Sequence, residues 1–356
     1  MFRALAVLVA LVALPASAAP CAGFVDVDDS SPFCANVVWM KTRSITLGCA
    51  ANLYCPNDAV SRLAISAFLN RLGDAVLPPN VLWVAPVGGT FQSIQAAINH
   101  AAGIATASTP VVIKVAPGTF QESIALAPYV QVEGASETLT TIQSTGLCNS
   151  PGAGTVVLAP NSQIRRVTIR TGGCTTGIYI DGGGASLVSF ADAVIRDVRI
   201  FMNVVGPSAA GIRVTGNVSD VGPIQRVTMN LQQGLPNYGV LADSPGVVLA
   251  LSDVNMLVAG ATGSTGFRFE GGNAQLERVV VNAVGPGGPN IFGIDATNSS
   301  VVHVRESTLM GFWTSVRTSA AAQVRLTNTA IANPVSGTGV VCLNTYDPQT
   351  LAPVSC

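Results

Sequence analysis

Short stretches of alternating apolar and polar residues recur through the second half of the chain. In the first of them, Arg166-Val167-Thr168-Ile169, Val167 and Ile169 are expected to face a core and the other two residues to face away from it. The next stretches begin at intervals of 31, 29, 27, 25, 28 and 22 residues: Asp197-Val198-Arg199-Ile200, Arg226-Val227-Thr228-Met229, Asp253-Val254-Asn255-Met256, Arg278-Val279-Val280-Val281, Glu306-Ser307-Thr308-Leu309 and Asn328-Thr329-Ala330-Ile331. Each stretch predicts one short β-strand.

A second unit, a glycine followed by an apolar residue, comes after each of the first five stretches: Gly177-Ile178, Gly211-Ile212, Gly239-Val240, Gly266-Phe267 and Gly293-Ile294. A single β-rich unit of this length cannot bury its apolar face, so the repetition predicts coils that stack into a parallel β-helix. With coils about 4.8 Å apart, roughly nine of them between Val84 and the C-terminus would form a rod about 40 Å long.

The stretch before these repeats predicts the start of the β-helix. Ile94, Ala97 and Ile98 form the apolar side of a short helix, which is expected to cap the open end of the stack. Three segments, FQSIQAAI (residues 91–98), VAPGTFQE (115–122) and VQVEG (130–134), resemble the N-terminal part of the pectin methylesterase family within the pectin-lyase-like superfamily. The resemblance implies an all-β fold, a single-stranded right-handed parallel β-helix with an N-terminal capping helix, over residues 84–356.

The resemblance does not extend to the catalytic motifs. Esterase chemistry in that family implies two aspartates, an oxyanion-stabilising amide and an arginine, placed in Gln-Asp-Thr-Leu, Asp-Phe-Ile-Phe-Gly and Gly-Arg-Pro-Trp-like motifs. None of these motifs occurs here; the nearest stretches are IFMNV (200–204) and GFRFEGG (266–272). A carboxylate pair is the minimum for this reaction. The sequence therefore indicates the β-helix fold of the family but not its esterase mechanism.

Other candidate residues are interpreted as structural. The aspartates of the repeats are scattered singly: Asp181, Asp192, Asp197, Asp220, Asp243, Asp253 and Asp295. The closest grouping, Asp197 with Arg199 and Arg226, is typical of a surface ladder. Asn230 and Asn282 end two strands and are expected to satisfy backbone groups at coil turns. His303 lies in an alternating strand and is interpreted as a surface or packed residue.

Phe312 and Trp313, in the stretch MGFWTSV, are the aromatic candidates for carbohydrate binding. An exposed aromatic ring can stack on the C–H face of a sugar. The alternative is a core aromatic that fills a wide coil.

The pattern of apolar residues in the segment 19–75 predicts a small helical module. Its first helix carries Val37, Val38 and Met40, and Asp58 is the expected N-cap of its second helix. The apolar positions of the second helix are Leu63, Ile65, Phe68, Leu69 and Leu72.

This pattern resembles one S-layer homology (SLH) motif of the disulfide-bearing kind. The resemblance implies that Arg62, in Val60-Ser61-Arg62-Leu63-Ala64, helps to bind a cell-wall polymer. Ala64 stands where the family has Glu, and only one motif is found where family members use several.

The first 18 residues have the features of a secretory signal: Arg3, an apolar run from Ala4 to Leu14 and an A-x-A site ending at Ala18. We therefore expect a bacterial protein that is secreted or held at the cell surface, with a linker at 76–83 between its two domains.

Eight cysteines follow the signal, and their spacing favours four local disulfides: Cys21 with Cys34, Cys49 with Cys55, Cys148 with Cys174, and Cys342 with Cys356.

Composition narrows the classes of partner. The net charge is −1 and only 10% of residues are charged, which disfavours nucleic acid and anionic membranes. Asp26, Asp28 and Asp29 lack the spacing of a calcium loop, and the two histidines, His100 and His303, are far apart. We expect no metal and no cofactor.

The preferred hypothesis is a non-catalytic β-helix that contacts a polysaccharide or another cell-envelope polymer. One alternative is a polysaccharide-acting esterase, lyase or hydrolase whose site short motifs do not reveal. Another is a purely structural surface protein that binds copies of itself. A carboxylate pair facing one groove would favour the enzyme, and a groove lined by aromatics and amides would favour binding.

Overall fold

The chain forms two compact units, Met1–Pro79 and Asn80–Cys356. The computed structural model describes residues 19–76, 80–146, 154–184, 186–203, 207–260, 263–285, 290–311, 313–319 and 321–356. The signal sequence predicted over residues 1–18 lies outside these ranges. Among the described residues, no helix is both long enough and apolar enough to span a bilayer.

The first unit contains two strands and two helices: β1 (Pro20–Cys21), β2 (Phe24–Asp28), α1 (Cys34–Thr42) and α2 (Arg62–Val76). β1 and β2 are antiparallel, and Phe24, Val27 and Val37 form a small core with Cys21. The carboxylate of Asp26 accepts hydrogen bonds from the backbone N–H groups of residues 54 and 55, which lower its pKa. This member of the acidic cluster therefore holds a loop in place.

One expectation for α2 was wrong. Asp58 is not its N-cap, because the helix begins at Arg62 and the hydroxyl of Ser61 accepts a hydrogen bond from the Ala64 N–H at 3.1 Å. Of the five predicted apolar positions, Phe68 and Leu72 are half-buried, whereas Leu63 is 83% exposed and Ile65 and Leu69 are exposed as well.

The structure contains three of the four predicted disulfides: Cys21–Cys34, Cys49–Cys55 and Cys342–Cys356. Cys148 lies outside the described residues, so its pairing with Cys174 stays a prediction.

The second unit is built almost entirely of strands. In chain order its elements are β3 (Val81–Val84), α3 (Ile94–Ala102), β4 (Val111–Val115), β5 (Gly118–Phe120), β6 (Ile124–Ala125), β7 (Val130–Gly134), β8 (Thr140–Gln143), β9 (Val156–Val157), β10 (Gln163–Thr171), β11 (Thr176–Asp181), β12 (Val188–Phe190), β13 (Val194–Asn203), β14 (Pro207–Thr215), β15 (Val218–Ala242), β16 (Val248–Gly260), β17 (Ser264–Glu270), β18 (Asn273–Glu277), β19 (Val280–Val284), β20 (Ile291–Thr297), β21 (Val301–Arg305), β22 (Thr308–Gly311), β23 (Thr314–Thr318), β24 (Gln323–Thr327), β25 (Ala330–Ile331), β26 (Val335–Ser336) and β27 (Val340–Leu343). The linker predicted at 76–83 thus overlaps the end of α2 and the start of β3.

The strands stack into a parallel β-helix, as predicted. Each turn adds one strand to each of three sheets, so β18, β19 and β20 pair in parallel with β21, β22 and β23. We call the sheet containing β18 the first sheet, the one containing β19 the second sheet and the one containing β20 the third sheet. The longer strands β10, β13, β15 and β16 run from the first sheet into the second, and β15 continues into the third.

The core lies inside the coils. Val167 and Ile169, and their equivalents in the next three stretches, are buried in one continuous apolar cluster. Ile94, Ala97 and Ile98 of α3 join this cluster and cap it. The carboxylate of Glu122 accepts hydrogen bonds from the backbone N–H groups of residues 94 and 95, so the segments that resemble the esterase family join the cap to the first coil.

The two repeated units lie at or near two of the three corners of each coil. The residue that opens each alternating stretch has a positive φ at the corner between the first and second sheets, including Arg166, Asp197, Arg226, Asp253 and Arg278. We call this line of residues the corner ladder. The repeated glycines begin the third sheet, where space is short: a Cβ on Gly266 would lie 2.2 Å from Val281 Cγ1.

Asn230 and Asn282 do not lie at coil turns, so that interpretation was wrong. Both are inside strands of the second sheet, in the same row, and Leu257 lies between them. The Asn230 side chain instead accepts a hydrogen bond from Gln232 at 3.1 Å.

Candidate functional site

The third sheet presents a row of charged and aromatic side chains on its outer side. The apolar residues that follow the repeated glycines point into the core, so the next residue on each strand points outward. The parallel register aligns these outward residues on successive turns: Tyr179, Arg213, Leu241, Arg268, Asp295 and Arg317. Two residues further along lie Asp181, Thr215, Asp243, Glu270 and Thr297. We call these two rows the third-sheet face.

A buried carboxylate lies at the centre of this face. The Asp295 side chain is 0% exposed, and the Arg317 guanidinium donates to both of its oxygens, at 2.8 and 2.6 Å. Arg268 lies on the other side, with its Nη1 3.6 Å from Asp295 Oδ2. Arg268 also donates to Glu270 at 2.7 Å, so it links two carboxylates.

Two aromatic rings support these arginines from the side. The Arg317 guanidinium lies 3.9 Å from the centre of the Phe292 ring, and that of Arg268 lies 5.7 Å from the Tyr238 ring. Both rings are buried. Burial raises the pKa of Tyr238, although the nearby charge of Arg268 opposes this. The arginines are thus held between a carboxylate and a ring, which fixes their direction.

A cavity of about 360 Å³ opens beside this group. It is lined by Pro236, Tyr238, Thr265, Arg268, Asn290, Phe292 and Arg317. About one third of each arginine side chain is exposed, so both guanidinium groups offer donors to a ligand in the cavity.

The face continues along the sheet toward the N-terminal coils. Arg213 donates to Asp243 at 2.6 Å, and the Tyr179 hydroxyl donates to Asp181 at 3.2 Å. Burial and the charge of Asp181 raise the pKa of Tyr179 to about 12, so this tyrosine stays protonated at neutral pH.

The chemistry of the face suits hydrogen bonding better than bond cleavage. Asp295 is enclosed, and each of its oxygens is held by a hydrogen bond from Arg317 rather than directed at the cavity. Asp243 and Glu270 are each paired with an arginine. Within the described ranges, no group of His, Cys, Asp and Glu is arranged to hold a metal ion.

The structure groups some of the predicted residues and separates others. Three aspartates that looked scattered in sequence, Asp181, Asp243 and Asp295, share the third-sheet face. Asp197 and Asp253 lie in the corner ladder. Asp197 binds Arg226 at 2.5 Å, as expected for a surface ladder, whereas Arg199 lies over the Phe201 ring. The last two aspartates, Asp192 and Asp220, lie in neither the third-sheet face nor the corner ladder.

Trp313 lies at the edge of the face. It is 50% exposed and therefore does not fill the core. Its neighbour Thr314 pairs with Phe292, a wall of the cavity. Phe312 lies outside the described residues. Arg62 is exposed in the first unit, and His303 lines a groove on the first sheet.

The second repeated unit contained the signal for this site. Aligned on their glycines, the stretches GIYID, GIRVT, GVLAD, GFRFE and GIDAT have polar residues mainly in the third and fifth columns. Because strands alternate and the sheet is in register, these columns predict two rows on one face. The two rows are not visible when each aspartate is considered separately.

Solved structures similar to this chain include pectin methylesterases and a mannuronan epimerase. A pectin methylesterase from carrot has 11% sequence identity and a TM-score of 0.42, and the match covers 75% of this chain and 89% of that chain. Pectin methylesterase PemA from Erwinia chrysanthemi has 13% identity and a TM-score of 0.37, and the match covers 77% of this chain and 90% of that chain. The A-module of mannuronan C-5 epimerase AlgE4 from Azotobacter vinelandii has 13% identity and a TM-score of 0.30, and the match covers 74% of this chain and 96% of that chain. Similarity at this level assigns no role to any residue. No protein-family model matches the chain, and no curated protein matches it significantly.

Proposed function

We propose that the protein binds a polysaccharide on its third-sheet face and does not cleave it. The arginine pair over buried Asp295 carries this proposal. Arg268 and Arg317 are held in fixed directions and keep free N–H donors beside a cavity, which suits the acceptor oxygens of sugar hydroxyls. Trp313, half exposed at the edge, supplies a ring on which a sugar can stack.

Charge balance on this face favours a neutral sugar chain. Arg213, Arg268 and Arg317 are each matched by a carboxylate, respectively Asp243, Glu270 and Asp295. A polyanion would find no excess of positive charge here. A ligand made of hydroxyl groups gains hydrogen bonds without disturbing the ion pairs.

The place of action that we propose is outside the cytoplasm. Disulfides persist in oxidising compartments, and the predicted signal sequence is in keeping with export. Attachment of the first unit to a wall polymer through Arg62 belongs to the same proposal.

Binding to a panel of neutral polysaccharides, measured by affinity electrophoresis, tests the proposal. We expect retardation by at least one member, and Trp313→Ala should weaken it about tenfold, the effect of removing a stacking aromatic. Val341→Ala, at a similarly exposed apolar position, is the control and should bind as the parent does. If Trp313→Ala lowers stability sharply but leaves polysaccharide binding intact, the Trp313 ring does not stack on the sugar.

A second candidate function is hydrolysis or de-esterification on the same face, favoured by the four carboxylates that it brings together, Asp181, Asp243, Glu270 and Asp295. The test is incubation with methylated pectin and other polysaccharides, followed by assay of methanol, acetate and new reducing ends. We expect release no greater than from heat-killed protein. Release that Asp295→Asn abolishes would replace the binding proposal with the enzymatic one.

A further inference from the structure

We propose that the first sheet carries a second binding surface, for a linear acidic polysaccharide. It lies on a different sheet from the third-sheet face and does not depend on the function proposed for that face. The surface consists of a cluster of cations, which we call the basic strip, and a groove that continues from it.

The basic strip comprises Lys114, Arg165, Arg166 and Arg196. Lys114, Arg165 and Arg166 all contact one carboxylate, that of Glu133, at 2.7, 2.7 and 3.1 Å. Three of these four cations thus contact a single carboxylate, while the whole chain has a net charge of −1. The excess of positive charge is local, and it points to an anionic partner.

The alternation of charge fails at one position. Along the outward row of the first sheet, successive turns carry Lys114, Glu133, Arg165 and Arg196. A repeated alternation would place a carboxylate at 196. Arg196 instead stands beside Arg165 and donates to the amide of Gln225 at 2.8 Å. The carboxylate that Arg196 interacts with electrostatically is that of Asp197, which lies outside this row and binds Arg226.

Arg165 and Arg196 would meet a ligand through their outer Nη groups. The Nε atoms of Arg165 and Arg196 are buried and have no hydrogen-bond partner in the described structure. Their positions one turn apart, about 4.8 Å, suit a chain with regularly repeated anionic groups.

The groove continues the path of the strip. The outward row runs from Arg196 to Gln225, Ser252, Glu277 and Arg305 on the next turns. There the short side chains of Ala250 and Ser252 leave a hollow of about 220 Å³, also lined by Gln275 and His303 and, at its charged end, by Glu277 with Arg305. Amides and a hydroxyl in the hollow suit a hydroxylated polymer.

The same surface argues against nucleic acid. Single-stranded nucleic acids are usually held by a series of aromatic platforms. The row carries one exposed aromatic, Trp83, which pairs with Lys114 at the end of the strip. Cations, amides and one ring fit a sugar chain that bears carboxylates.

The first arm of the test compares ligands that differ in charge. Binding of the full chain to polygalacturonate, carboxymethyl-dextran and unmodified dextran is measured by biolayer interferometry at low and physiological ionic strength. We expect both acidic polymers to bind more tightly than dextran, and salt to weaken that binding. Equal binding of dextran, or equal affinity for a single-stranded DNA probe or for phosphatidylserine vesicles, would overturn the proposal.

The second arm compares variants. The double change Arg165→Gln with Arg196→Gln should weaken binding of the acidic polymers about tenfold, as expected for two partly exposed charge contacts. Arg278→Gln removes a cation of similar exposure from the corner ladder and is the matched control. Arg268→Gln removes one from the third-sheet face and should leave acidic-polymer binding intact even if the function proposed for that face fails.

Gln225→Glu provides a variant that keeps every arginine. It places a carboxylate beside Arg196 and should weaken binding of the acidic polymers about threefold while the thermal midpoint stays unchanged. Parent-like binding by both Gln225→Glu and the double variant would show that the strip is not the site.

Discussion

The third-sheet face and the corner ladder are built from the same chemistry. Each places arginines beside carboxylates on successive turns of one β-helix. Asp295 on the face is 0% exposed and is enclosed by Arg317 and Arg268, whereas Asp197 in the ladder is 31% exposed and bound by Arg226 alone. On the face the backbone is regular strand, and in the ladder every one of these residues has a positive φ.

This difference shows that exposure determines what a stack of ion pairs can do. Solvent screens the ladder pairs, so they contribute little energy and their geometry is loosely held. The pairs on the face are shielded and backed by rings, so their donors keep fixed directions. We therefore infer that the ladder pairs Asp197–Arg226 and Asp253–Arg278 are structural and that the face is the binding site for the neutral polysaccharide.

The largest effect is expected where the third sheet begins. Gly266→Ala places a Cβ 2.2 Å from Val281 Cγ1 and 2.6 Å from the carbonyl oxygen of Gly293, and backbone cannot move aside easily. We expect a loss of about 3 kcal/mol in the free energy of unfolding, measured by urea denaturation. Gly103→Ala, with its nearest contact at 3.5 Å, is the control and should change stability little.

A smaller loss is expected from Asp295→Ala. Removal of the buried carboxylate leaves Arg317 and Arg268 facing each other, partly relieved because each can turn toward solvent. We expect a loss of about 2 kcal/mol, against less than about 1 kcal/mol for Asp197→Ala in the ladder. Equal losses in the two variants would remove the distinction between the face and the ladder.

Acid should affect stability through the carboxylates whose pKa is lowered. Burial opposes ionisation of Glu133, but the hydrogen bond from Lys114 and the charge of Arg165 outweigh it and lower its pKa. In the ladder, the hydrogen bond from Arg278 lowers the pKa of Asp253. Since both are lower in the folded state, their stabilising contribution is present above the unfolded pKa, about 4, and is lost as the pH falls through the folded value.

Urea midpoints measured from pH 5 to pH 2.5 check this sign and compare the two sites. Stability should fall toward low pH, and Glu133→Gln should flatten the slope more than Asp253→Asn does, because Asp253 is the more exposed. A rise in stability toward low pH would contradict the account.

The smallest effect is expected from Arg226→Gly. It removes a screened ion pair with Asp197, and it also relieves a residue held at φ 51°. Both effects are small and they oppose each other, so the urea midpoint should stay nearly unchanged. A loss comparable with that of Asp295→Ala would show that the ladder is tightly coupled.

The sequence predicted the β-helix well because periodic burial is visible in one dimension. Val167, Ile169 and their equivalents are apolar wherever the coil needs them. The site was harder to find, because Arg268, Asp295 and Arg317 are brought together only by the register between turns. The exposure of Leu63 in α2 could not be deduced either, since an apolar helix face in the sequence does not reveal whether anything covers it.

The most direct test of the central claim is a comparison of two arginine variants in binding. A neutral polysaccharide retarded by the parent protein is titrated calorimetrically into Arg317→Gln on the third-sheet face and into Arg278→Gln in the corner ladder. The account predicts that Arg317→Gln loses affinity about tenfold or more, because a fixed charged donor is removed, while Arg278→Gln binds as the parent does. Equal affinity of the two variants for the polysaccharide would contradict it.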